Sequence, residues 1–291
     1  MVGCLRAGSY GDRSTDQQID RSGFPGRRIV ITGIGRQRPR IAGAVFVSDD
    51  ADYVTLSHVA IEGANNLRPD GKPQAMEVWG SHFIFEDSTL TNRNAAVSGL
   101  IVKGDGALIR RNKIYDVGGD FGYDHGIYVS TSRNFKIMYN WIYNCHSGWG
   151  IQLYPNAAHG SVSHNIIDGC GSGITIGSEG DQASHDNRID HNLITNSIGL
   201  GHFNAGTGIA GCCGQSPDGN FVIKNMFWRN AGGAFDEYVG KSYAVDKNFS
   251  SNPKYYNRGA KDFRVKSRAA QALGLWNGVS APGPNVRSRG K

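Results

Sequence analysis

Glu77, Lys103, Asp124, His125 and Tyr128 carry the side chains best able to move protons or hold charge near one another, with Asp120 close by in sequence. They lie in or beside short segments that open on Gly or Ala and alternate apolar with polar residues: 75–79, 99–103, 126–130, 150–154 and 173–177. Alternation sends Met76, Leu100, Ile127, Ile151, Ile174 and Ile209 inward, and Glu77, Trp79, Lys103, His125, Tyr128, Trp149, Gln152, Tyr154 and Thr175 outward. Aromatic rings beside amides and hydroxyls suit a sugar polymer, whose apolar faces lie on rings while its hydroxyls need partners. Cleaving a uronic-acid polymer by β-elimination needs a cation for the carboxylate, a base for the C5 proton and an acid for the leaving oxygen. Lys103 could serve as cation or base, His125 or Tyr128 could exchange protons, and Asp124 could orient His125 or bind a metal. Hydrolysis would need two carboxylates roughly 5 to 9 Å apart, for which Glu77 and Asp124 are the candidates.

The elements that must position these groups come from a repeat. A six-residue phrase, apolar at both ends and small or amide at its fourth place, starts at Leu56, Phe85, Ile109, Ile137, Val162, Ile189 and Val222, at intervals of 29, 24, 28, 25, 27 and 33 residues. Its fourth residue is Asn in the last five copies: Asn112, Asn140, Asn165, Asn192 and Asn225. Units of this length can bury an apolar face only against their neighbours, so the pattern predicts a solenoid. Amides stacked at the strand spacing of roughly 4.8 Å would form an internal hydrogen-bonded ladder. From each ladder Asn to the next Gly-led strand the distances are 14, 10, 8, 16 and 8 residues. Long insertions at 115–125 and 195–207, with a third at 62–74, enter one sheet from one side and mark it as the binding face.

The rest of the chain narrows the possibilities. Its 41 glycines among 291 residues, with Val, Ile and Phe runs broken by Gly, Asn and Asp, belong to strands and turns. A net charge of +6 suits an anionic partner, but there is no basic stripe interleaved with aromatics as nucleic-acid binding would want. No apolar run is long enough to span a membrane. Cys145 and Cys170 each follow a ladder Asn by five residues and are expected to stack as two apolar thiols; Cys212-Cys213 is either a vicinal disulfide or a loop pair. His164 and His191 should stack in a polar surface column. Glu179, Asp181, Asp186 and Asp190 form an acidic loop that could take Ca2+, the only cofactor the residues suggest.

The phrases Asp124–Ser130 (DHGIYVS), Gly148–Ala157 (GWGIQLYPNA), Gly171–Gly180 (GSGITIGSEG) and the closing Asn252–Gly274 resemble right-handed parallel β-helix proteins of the pectate-lyase-like superfamily. The resemblance implies an all-β, single-stranded right-handed parallel β-helix of about eight coils over residues 1–278, followed by a disordered tail at 279–291. It implies a secreted, monomeric protein acting on an acidic polysaccharide, most readily as a lyase. The alternatives are a glycan-binding or adhesive module, or a hydrolase or epimerase in the same cleft. Met1 lacks a signal sequence and a polar cap, so the natural chain is expected to begin upstream. The paired-Asp and Gly-His-Gly patterns of polygalacturonases are absent, as is the Asp cluster of classical pectate lyases. Arg36–Arg40 looks like the latter's Arg-x-Pro-x-x-Arg but falls in the first coils, so no catalytic residue carries over.

Overall fold

A computed structural model describes residues 1–12, 16–63, 74–95, 97–119, 124–199, 206–213, 219–236, 239 and 243–279. Its chain winds as a right-handed parallel β-helix with three sheets, each coil up to Ile209–Cys212 giving one strand to each. Among the described residues the first sheet has ten strands, from Val2–Leu5 to Ala244–Asp246, and the second has ten, from Ser9–Tyr10 to Phe249–Ser250. The third holds Gln17–Ile19, Val45–Val47, Gln74–Val78, Ser98–Val102, His125–Val129, Trp149–Leu153, Ser172–Glu179 and Ile209–Cys212, all parallel, with the short antiparallel strand Gln182–Ala183 at its end. Among the described residues, no helix is long and apolar enough to cross a membrane.

Register is fixed by the apolar stack. Met76, Leu100, Ile127, Ile151, Ile174 and Ile209 face one another from coil to coil and are fully buried. A one-residue slip would turn every one of them outward. At Gly126, Gly150 and Gly173 of the third sheet the interior leaves no room for a Cβ. One added at Gly126 would sit 2.6 Å from Ile142, at Gly150 2.4 Å from Ile167, and at Gly173 2.4 Å from Ile194.

The corner between the first and second sheets carries the predicted ladder. Asn140 N and Nδ2 donate to Asn165 Oδ1 at 2.9 and 3.0 Å, and Asn165 Nδ2 donates to Ile137 O at 2.9 Å. The same pattern joins Asn112, Asn140, Asn165, Asn192 and Asn225 and continues to Asn248. Buried backbone groups that the tight corner denies to the sheets are thereby satisfied. The residue before each amide adopts a left-handed conformation, with φ of 54° at Arg111, 59° at Tyr139, 57° at His164 and 55° at His191. Each non-glycine residue there costs about 1–2 kcal/mol, which the ladder offsets.

Cys145 pairs with Cys170, and Cys212 with Cys213, as disulfides. Two stacked thiols were expected at the first pair; in-register stacking leaves the Cα atoms 4.4 Å apart, close enough for the sulfurs to bond. The closing segment docks on the second sheet. Phe263, Ala270 and Leu273 form a second apolar cluster with Trp141, Tyr143, Ile166, Leu193 and Met226. Ser267 caps its one short helix by accepting from Ala270 N at 3.2 Å.

Candidate functional site

The third sheet brings most of the expected residues into two outward columns. Phe46, Glu77, Ile101, Tyr128, Gln152, Thr175 and Ala210 align in register. Gln74, Ser98 and His125 align beside them, and Trp149 pairs with Ser172 on the following coils. Asp120 and parts of the three inserted loops, 64–73, 120–123 and 200–205, lie outside the described residues.

Burial divides the columns sharply. Lys103 and Trp79 keep 35 % and 38 % of their surface, and Tyr128 and Tyr154 are half-buried. Glu77, Asp124, His125, Trp149, Gln152 and Thr175 are buried, although an open floor was expected at all of them. The reason is spacing: side chains stacked at about 4.8 Å shield one another, so facing outward does not mean facing water. Thr175 is fully buried, with its hydroxyl directed to Ala210 O at 3.4 Å, and this removes it from direct substrate contact. Asp124 serves a corner instead: its Oδ2 accepts from Gly119 N at 2.9 Å and from Ser147 Oγ at 3.2 Å. Glu77 and Asp124 are thus two buried carboxylates on separate coils, and not a pair flanking an open cleft.

The exposed end is organised around Glu77. Its Oε1 accepts from Trp79 Nε1 at 2.5 Å and meets Lys103 Nζ at 3.0 Å, while Gln74 Nε2 donates to Oε2. The same ammonium lies 4.1 Å from the centre of the Trp79 ring, which Phe46 supports edge-on at 6.2 Å. Carboxylate and indole together hold the ammonium at one place on the sheet, where it remains one-third open to solvent. Gln74 and Phe46 were not anticipated. Register with Ser98 and with Glu77 was the signal that could have placed them, since neither residue type stands out alone.

Toward the middle of the sheet, His125 stacks on Trp149 at 5.0 Å and meets Tyr128 edge-on at 5.7 Å. Burial pushes the His125 pKa down to about 3, against a smaller opposing effect of the Asp124 backbone, so the imidazole is neutral at ordinary pH. Burial also raises the Tyr128 pKa, and its phenol stays protonated.

The acidic loop does not converge. Asp190 is tied to His191 at 2.7 Å and to Arg188 at 3.4 Å on the first sheet, while Asp186 meets His185 at 2.8 Å. His164 and His191 do stack, at 5.0 Å in nearly parallel planes.

With this geometry in view, the comparisons agree on architecture. A family model described as "Right handed beta helix region" matches residues 41–194, more than half of the chain, and the protein belongs to that family. By structure, it is similar to pectate lyase Pel9A, with a TM-score of 0.63, 14 % identity and coverage of 100 % of this chain and 81 % of that one. It is also similar to the Dettilon tailspike protein gp208, with a TM-score of 0.53 and 13 % identity over 87 % of this chain and 61 % of the tailspike, less than two thirds of its length. No curated protein matches the chain by sequence. At these identities the likeness shows the fold alone.

Proposed function

We propose that the exposed strip of the third sheet binds an acidic, uronic-acid-containing polysaccharide and that the protein cleaves it by β-elimination. The observation that carries this reading is the Lys103 ammonium, fixed between the Trp79 ring and the Glu77 carboxylate while part of it stays open to solvent. A sugar ring laid on Trp79 would bring its carboxylate against Lys103. Neutralising that carboxylate acidifies the C5 proton, which passes to a solvent water as base; the C5–H electrons then form the C4–C5 double bond as the C4–O4 bond breaks. Tyr128, which holds its proton, is placed to give it to the leaving oxygen. Strand spacing and rise set Lys103 and Tyr128 about 8 Å apart at Cα, so that both side chains can reach one bound sugar. Tyr154 extends the strip by one coil.

In this reading His125 and Asp124 act behind the surface. Neutral His125, packed between Trp149 and Tyr128, fixes the phenol, and Asp124 holds the corner from which that strand starts. Gln152 and Trp149 support the strip from within. That Pel9A is by name a pectate lyase of the same fold supports a polysaccharide as substrate. A polymer of this kind lies outside cells, so secretion belongs to the same proposal.

Burial of Asp124 and His125 favours one alternative, a module that binds the glycan without cleaving it. Incubation with pectate, alginate, hyaluronan and chondroitin separates the two. Ultraviolet absorbance from an unsaturated product supports elimination. Reducing ends without that absorbance would mean hydrolysis, and binding with neither would leave the module.

A further inference from the structure

We propose that His159, His185 and Asp186 form a site for a borderline divalent transition-metal cation, such as Zn2+, at the corner between the third and first sheets. The site is separate from the strip around Lys103 and does not depend on the function proposed there. Its three side chains come from two neighbouring coils whose spacing is fixed by the backbone. His159 N donates to His185 O, and His185 N to Ala157 O, both at 3.2 Å. Beneath them runs a second, shorter amide ladder. Gly160 N donates to Asn187 Oδ1 at 2.9 Å, Asn187 Nδ2 to Ala157 O at 2.8 Å, and Asn187 N to Asn220 Oδ1 at 3.1 Å. Ser184 Oγ accepts from Ala157 N at 3.1 Å.

On this rigid base the donor atoms converge. Asp186 Oδ2 lies 2.8 Å from His185 Nδ1 and 3.9 Å from His159 Nδ1, and one ligand atom from each residue falls within 4.8 Å of the others. Metal–ligand bonds near 2.0–2.2 Å would put such atoms about 3.3 Å apart, so a small side-chain adjustment completes the set. The imidazoles meet edge to face at 84°, unlike the parallel His164–His191 stack at 7°, whose planes slide over one another. Gly219 on the next coil keeps the carboxylate free, since a Cβ there would lie 2.2 Å from Asp186 Oδ1. Two imidazoles and one carboxylate suit zinc, nickel or copper, whereas Ca2+ wants six to eight oxygens. The half-exposed position leaves the remaining coordination to water, and the ion would clamp one coil to the next.

Calorimetric titration of Zn2+ into the chelator-treated, full-length protein tests this. The expected result is one equivalent bound, at least tenfold weaker in each of His159→Ala, His185→Ala and Asp186→Asn, with Zn2+ raising the Tm of the parent and not of the variants. His191→Ala should bind as the parent does, and Ca2+ should give no heat. Zn2+ binding unchanged in the three variants, loss of it in His191→Ala, or no binding to the parent would overturn the assignment.

Discussion

The outer faces of the second and third sheets are built alike and used differently. Both carry a lysine over a tryptophan: Lys113 at 4.7 Å from the Trp141 ring, and Lys103 at 4.1 Å from that of Trp79. Each also carries a buried carboxylate met by a cation. On the second sheet, Asp168 takes Arg258 at 2.8 Å, together with Thr195 Oγ1 at 2.6 Å and Asn196 Nδ2 at 2.7 Å. The cation there arrives from the closing segment, which lays Phe263 across Trp141 and Tyr143 and seals the face. On the third sheet the cation comes from the adjacent coil, and among the described residues no closing segment covers Trp79, which keeps 38 % of its surface where Trp141 keeps 3 %. An aromatic stripe on a β-helix is therefore no mark of a ligand surface by itself. What separates the two faces is whether the chain spends the stripe on its own closure.

The largest expected effect lies on the sealed face. Arg258→Ala leaves the buried Asp168 carboxylate with only Thr195 and Asn196 and should destabilise the fold by about 2–3 kcal/mol, read as denaturant midpoint, while glycan binding at the third sheet stays intact. Loss of binding with unchanged stability would invert the comparison. Next comes acid sensitivity at His125. Its folded pKa of about 3 lies below the unfolded value near 6.5, so the unfolded chain takes up the proton first. Its stabilising contribution is whole above pH 6.5 and falls as pH drops toward 3, by about 2 kcal/mol at pH 5. His125→Gln should flatten that part of the stability–pH curve; an unchanged slope would show that another group carries it. The smallest effect is Trp79→Ala, expected to weaken oligouronate affinity by about 1–2 kcal/mol with little change in Tm. Wild-type affinity in that variant would remove the ring from the site.

The repeat made the fold readable. Asn112 to Asn225 recur at one phase because every corner poses the same unsatisfied backbone groups, and one side chain answers them all. Asn248 escaped because its phrase, Val245 to Ser250, ends on a polar residue and breaks the pattern. The ladder of Asn187 and Asn220 is too short to show a period. The site was readable only as to side. Alternation turned His125, Gln152 and Thr175 outward correctly, but it is blind to what the neighbouring coil lays over them. Nor does period two tell Trp141 and Tyr143 from Trp79 and Tyr154. The difference comes from Phe263, more than a hundred residues further along the chain than Trp141.

The two lysine–tryptophan pairs supply the decisive measurement: initial rates of unsaturated product formation from the best polyuronate, for Lys103→Ala beside Lys113→Ala. The account predicts at least a hundredfold loss in the first, with rates compared at a temperature where each variant is fully folded, and a near-parental rate in the second. Equal rates in both variants, or a loss confined to Lys113→Ala, would contradict it.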